Sequence, residues 1–286
     1  MRIAVRPFGL YADLWQRDKL SASGLAMLLL LILLAVLGPH LPIGDATKIA
    51  AGPRLSPPSW RFPFGTDELG RSFLPRVVVG IRATFLLSAA AVTMTTFLGT
   101  ILGMVAGYFR GLTDQIIARG ADVLFSFPAL LVGLLIAAMA GPGETSAIAV
   151  IAVVALPLFV RVVRSVTLAL SGRGFIVAAE VAGASALRIM GVHILPNIAG
   201  AVVVQLTYAL SIGMIIESAL SFLGLGVQPP DASLGSLLRQ GSAYLTFAPW
   251  LALFAGAVLS AAIMSVNLVG DAVRDALEPL EGRSLT

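Results

Sequence analysis

The sequence predicts an all-α polytopic membrane protein with six transmembrane helices, and three observations lead there. Hydrophobic residues make up 58% of the 286-residue chain and charged ones only 12%, where a soluble globular domain carries roughly 25% charged residues. The apolar residues gather into six uncharged runs, most of them reaching the ~20 helical residues that cross about 30 Å of hydrocarbon. Charges stand between the runs rather than within them. That is the pattern expected when a charge at the bilayer centre costs at least about 2.5–3.5 kcal/mol.

The first run is Leu20–Gly44. It is longer than the 7–15-residue core of a signal peptide and is read as a retained span. A long loop rich in Pro and Gly, Asp45 to Arg82, leads to the second span, Ala83–Phe109. There Gly99, Gly103 and Gly107 recur every fourth residue. They share one helix face and permit close packing. The third span, Val123–Gly143, is expected to kink at Pro128. A tight turn, Gly141-Pro142-Gly143-Glu144, joins it to the fourth, Thr145–Val160, with a second kink at Pro157. This short span is expected to continue through Arg161 and Arg164, whose long side chains snorkel to the interface. The fifth and sixth are Ile189–Ile216 and Gln240–Gly270, separated by Gly224–Pro249 with its Pro229-Pro230 pair. The chain thus divides into residues 1–82, a tail with the first span and an external loop, and 83–286, the main transmembrane domain.

Basic residues orient these spans. With the N-terminus inside, 12 of the 19 Lys and Arg residues fall on the cytoplasmic side, as positive-inside charge bias requires. They are Arg2, Arg6, Arg17 and Lys19 before the first span, Arg110 and Arg119 after the second, Arg161, Arg164, Arg173 and Arg188 after the fourth, and Arg274 and Arg283 after the sixth. Of the other seven, six lie between Lys48 and Arg82. Basic side chains that punctuate apolar runs do not form the clustered face of a nucleic-acid reader. Cysteine is absent, which excludes disulfides and thiolate metal sites.

The cytoplasmic connection Ser171–Val192 has a helical pattern of its own. Phe175–Ala182 combines helix formers with small residues, Gly183 suits the left-handed position that closes a helix, and Ser185 can cap the next one. Pro196 fits the first turn of the fifth span. The first short helix is apolar over much of its surface, so in cytosol it calls for a partner. Ala178, Ala179 and Gly183 would let that partner approach closely, with Glu180 and Arg188 adding charge at the rim.

This segment resembles the EAA loop of permease subunits in ABC importers that use a binding protein. The family pattern is Glu-Ala-Ala, three residues, Gly, nine residues, then Ile-x-Leu-Pro. Ala178, Ala179, Gly183, Leu195 and Pro196 match at the right spacing, while Val177 replaces the leading Glu and His193 sits at the Ile position. Other stretches are similar to peptide and nickel permeases of this family. They are Phe64-Gly65-Thr66-Asp67-Glu68-Leu69-Gly70-Arg71, with Ser72 where the family has Asp; Asp122-Val123-Leu124-Phe125-Ser126-Phe127-Pro128; the run from Glu217 to Pro230; and Asn267, Gly270, Asp271, Arg274, Asp275 and Leu277.

The resemblance implies the type I ABC importer permease fold with a cytoplasmic coupling helix, and a multi-pass protein of the bacterial inner membrane with both termini cytoplasmic. It implies that Phe175, Ala178, Ala179, Glu180, Gly183, Ala184 and Arg188 couple to an ATPase. It also implies the partners: a second homologous permease, usually a different chain, two ATPase subunits that bind ATP and Mg, and an extracytoplasmic substrate-binding protein. The cargo implied is short peptides, or nickel or another small solute. Glu217, at the outer end of the fifth span, and the kinks at Pro128 and Pro157 are the candidates for the translocation pathway.

Enzymatic readings find little footing. The chain has no His-Glu-x-x-His metal motif. Its two lysines, Lys19 and Lys48, lack the context of a nucleotide-binding Gly-Lys-Ser/Thr loop. Ser185 and His193 are the nearest pair for a serine protease but lie in the docking segment. A secondary transporter not coupled to ATP would carry paired ionisable residues at midplane, and the spans hold few. Asp67, Glu68 and Arg71 are read as parts of a folded external cap.

Overall fold

The protein is described by a computed structural model over residues 19–277. The basic residues Arg2, Arg6, Arg17 and Arg283 lie outside the described residues. The helices are α1 (Lys19–Leu37), α2 (Phe73–Phe109), α3 (Gly111–Ser126), α4 (Ala129–Ala140), α5 (Glu144–Ser171), α6 (Gly174–Val181), α7 (Ala186–Phe222), α8 (Leu234–Ala243) and α9 (Pro249–Leu277). Helices α1, α2, α5, α7 and α9 are each long and apolar enough to span a bilayer, and the bent pair α3–α4 makes a sixth crossing. Six crossings return the chain to its starting side. Tyr108 at the end of α2 bonds Glu180 of α6, and Leu277 lies beside Gly200 of α7. At the opposite end Gln240 bonds Glu68 and Gly38 meets Val78.

The glycine stripe on α2 creates the main helix contact. A Cβ at Gly99 would sit 2.8 Å from Phe159, one at Gly103 would sit 2.6 Å from Val163, and one at Gly107 would sit 2.7 Å from Thr167. Both helices advance by four residues at each step, so they run parallel and their ridges stay in register over two turns. Lacking side chains at these positions, α2 lets Phe159, Val163 and Thr167 reach its backbone, and all three are fully buried. A second core lies where α1, α2, α8 and α9 meet, around Leu31, Phe73, Ile81, Leu237 and Leu251.

Span limits differ from the expected ones because helices continue past charges that were expected to end them and break within uncharged runs. Helix α2 starts at Phe73, not Ala83, and carries Arg76 and Arg82. At 37 residues it is about 55 Å long and projects past the hydrocarbon. The expected boundary between residues 82 and 83 therefore falls inside a continuous helix. Helix α5 extends to Ser171, and Arg161 and Arg164 do not simply snorkel: they pair with Asp122, at 3.1 Å, and with Asp114, both on α3. The third span is not a kinked rod. Helices α3 and α4 meet at 90°. Phe127 is extended (φ −89°, ψ 131°), the conformation that a following proline imposes. Helix α5, by contrast, runs through Pro157 without a break. The sixth run is also divided: residues 234–243 form α8, and the spanning helix begins at Pro249.

The loop before α2 is a folded cap, as expected from its sequence. Fully buried Asp67 accepts hydrogen bonds from the backbone N–H groups of Leu69 and Arg71, each at 2.9 Å, and from Arg71 Nε at 2.6 Å. Arg76 Nε lies 3.4 Å from the same carboxylate. Phe64 stacks on Phe254 of α9 with centroids 4.1 Å apart, tying the cap to the bundle.

Two stability predictions follow from these contacts. Gly103→Leu forces Val163 off α2 and should cost about 1–3 kcal/mol, read as lower thermal stability of the detergent-purified protein. Gly120→Ala, where an added Cβ meets nothing within 4 Å, should leave stability unchanged or slightly raised. Asp67→Asn removes the buried charge beside Arg71 and Arg76, leaving Arg71 only Glu68 at 3.5 Å, and should destabilise by about 3–5 kcal/mol, whereas Glu68→Gln in the same assay should cost less than about 1 kcal/mol.

Candidate coupling surface and pathway

Helix α6 occupies residues 174–181, one position earlier than the expected 175–182, and is closed by Gly183 at φ +79°. Ala184 N–H donates to Ala179 C=O and Gly183 N–H to Glu180 C=O, the paired bonds of a Schellman closure. Nothing lies within 4 Å of a Cβ added at Gly183, so within this chain the glycine answers to backbone conformation and not to crowding. Ser185 then caps α7 by accepting from Arg188 N–H at 3.4 Å. Residues Ile189–Ile194 form a π-helical turn inside α7 before Pro196.

The two faces of α6 differ in burial. Ile176 is fully buried with Ile189 and Ile194, in the cluster that also holds Phe159 and Val163. Ala179 and Ala184 are half-buried against that cluster. Part of each side chain therefore packs within the chain's own core. Phe175, Ala178, Gly183 and Arg188 are exposed. So are three apolar side chains absent from the expected set: Val177 is 46% exposed, Val181 84% and Leu187 80%. Glu180 is not a free rim charge. It accepts a hydrogen bond from Tyr108 Oη of α2 at 2.9 Å. Sequence reasoning missed Ile176 and Tyr108. The three-residue spacing of Ile176 and Ala179 could have identified the inward face, but the partner at residue 108 has no local signature.

The pathway candidates are not brought together on one surface. Pro128 is exposed at the α3–α4 break, and Pro157 is buried in α5. Glu217 is fully enclosed, accepting from Thr84 Oγ1 at 3.0 Å and Ser221 Oγ at 2.7 Å. Among the described residues no group of three His, Asp or Glu side chains could hold a metal ion.

Comparison with known proteins agrees with this architecture. Residues 99–281 match the family described as "Binding-protein-dependent transport system inner membrane component". The di/tripeptide transport system permease protein DppC of Pseudomonas aeruginosa is 35% identical over 276 residues, covering 93% of this chain and 91% of the relative. The glutathione transport system permease protein GsiD of Pectobacterium atrosepticum is 36% identical, covering 93% of this chain and 91% of its own length. The fold resembles a chain of the MetNI methionine ABC transporter in an inward-facing conformation, with TM-score 0.62 at 17% identity, covering 72% of this chain and 97% of that one. With six crossings, a helical element between the fourth and fifth, and this family match over most of its length, the chain belongs to the binding-protein-dependent transport system inner membrane components, the multi-pass permeases of ATP-driven ABC importers.

Proposed function

We propose that this permease forms half of a pathway for di- and tripeptides across the bacterial inner membrane, with its N- and C-termini in the cytoplasm. A second, homologous but different permease completes the pathway. Two separate ATPase subunits bind ATP and Mg and hydrolyse the ATP, a substrate-binding protein delivers the peptide from outside, and this chain carries no cofactor. The peptide reading rests on the names of relatives aligned over more than nine-tenths of the chain.

The observation that carries the coupling role is the exposed apolar face of α6 and its flank: Phe175, Val177, Val181 and Leu187. It stands on a buried anchor, Ile176. An apolar face held rigidly by its opposite side is suited to sit in a groove of the ATPase. Movement of that groove would reach α2 through the Tyr108–Glu180 bond and α5 through the Ile176 cluster. The α3–α4 break at Pro128 is the exposed surface best placed to line the conduit. Glu217 and Pro157 shape the wall from within.

Two measurements test this reading. Val181→Asp and Ala178→Arg alter only the exposed face, so both variants should insert normally. Losing a contact of about 2 kcal/mol should lower ATPase retention roughly thirtyfold, with uptake of dipeptide falling in parallel. Full retention and uptake in both variants would remove α6 from the coupling interface. For topology, single cysteines introduced into this cysteine-free chain should separate by side. An impermeant maleimide applied to intact cells should label Trp60→Cys and spare Ala178→Cys, and the reverse pattern would invert the orientation.

A further inference from the structure

The carboxylate of Glu217 has no basic partner: among the described residues no Lys, Arg or His forms an ion pair with it. Its neighbours are hydroxyls. Thr84 of α2 donates to Oε2 at 3.0 Å, and Ser221, one turn further along α7, donates to Oε1 at 2.7 Å. Ser218 lies 3.4 Å from Oε2. Each of the two close hydroxyls also accepts a backbone N–H. Leu234 N–H donates to Thr84 Oγ1 at 3.1 Å, and Val227 N–H donates to Ser221 Oγ at 3.2 Å.

A hydroxyl has one proton and two lone pairs. Once its oxygen accepts a backbone N–H, the proton is free to turn to an acceptor, and a carboxylate offers only acceptors. Two relays therefore end on one side chain: Leu234 N–H to Thr84 to Glu217, and Val227 N–H to Ser221 to Glu217. Val227 and Leu234 are the two ends of the turn-forming segment that holds Pro229, Pro230 and Asp231. Leu234 is also the first residue of α8. The same junction is packed backbone against backbone. A Cβ at Gly235 would sit 2.3 Å from Ser218 C=O, and one at Gly80 would sit 3.3 Å from Leu234 N.

We infer that Glu217 is a positioning residue, whose carboxylate staples both ends of the 227–234 segment, and with it α8, to α2 and α7, and thereby sets the shape of the outer face that meets the binding protein. This rests on the importer reading and its orientation. Glu217 acts on transport through the segment it holds, without touching the solute. Because α2 and α7 are both spanning helices, a shift of one against the other would pull on the staple. The outer segment is thus tied to the relative position of two helices that the coupling end also contacts.

The test compares Glu217→Gln, Thr84→Val and Thr84→Ser in the assembled transporter. Glutamine turns one acceptor into a donor, valine keeps the shape of threonine without its hydroxyl, and serine keeps the hydroxyl. Hydrogen exchange over residues 224–236 should speed up about tenfold in Glu217→Gln and Thr84→Val, stay at the wild-type rate in Thr84→Ser, and leave residues 99–107 unchanged in all three. The binding-protein concentration giving half-maximal stimulation of ATP hydrolysis should rise about tenfold in the first two variants, with the maximal rate held within about twofold. Unchanged exchange over 224–236 would overturn the inference. So would exchange that rises equally over 99–107, or a lower maximal rate at an unchanged half-saturating concentration. A wild-type assembly that the binding protein fails to stimulate would strike the importer reading instead, and the exchange data would still decide the staple.

Discussion

The parallel contact between α2 and α5 is the constraint on which the other helices depend. Lipid tails are as apolar as the helix surfaces, so burial alone cannot drive spans together, and close van der Waals packing must. Gly99, Gly103 and Gly107 allow that closeness, and Phe159, Val163 and Thr167 use it. Helix α7 then packs on both helices, with Gly213 between Val92 and Ile151. The π-helical turn of α7 and the anchor of α6 enter the cluster that Phe159 and Val163 have already formed. The element between the fourth and fifth crossings therefore grows out of the tightest part of the bundle, rather than hanging from it as a loop.

The buried or membrane-level carboxylates of this apolar chain are each met by basic or hydroxyl side chains. Asp114 and Asp122 of α3 take Arg164 and Arg161 of α5, which fastens a helix that buries no residue of its own. Asp67 gathers Arg71 and Arg76 into the cap. Glu217 gathers hydroxyls from α2 and its own helix. An unanswered polar group costs several kcal/mol in hydrocarbon, so these pairings decide which helix ends may approach one another. They also explain why charges failed to mark span limits. A guanidinium with a carboxylate beside it can sit within a helix that continues past the membrane surface.

The two ends of the bundle are built differently. At one end, α6 presents apolar side chains over a single buried isoleucine and is held by the Tyr108–Glu180 bond. At the other, a folded cap, α8 and the 227–234 segment interlock through Asp67, Gln240 and Glu217. The first leaves apolar side chains exposed, and the second is a structure braced against itself. Helices α2, α5 and α7 run between them, so displacement at one end has a continuous packed route to the other.

The sequence by itself determined the number of crossings, the helical element between the fourth and fifth, its closure at Gly183, the cap at Ser185 and the packing face of Gly99, Gly103 and Gly107. Each is written in a local pattern: the length of an apolar run, a fourfold spacing, or a residue type that one backbone conformation demands. Tertiary structure alone decided the rest. The 90° turn at Pro128 could have been a kink, since a proline dictates only the residue before it and not the direction of the next helix. Ala179 turns inward because Ile176 finds the core. Glu180 is engaged because Tyr108 stands 72 positions away. Glu217 is enclosed because Thr84, 133 positions earlier, meets it across a helix interface. No window of sequence contains both partners of such a contact; the packing of α2 against its neighbours brings them together.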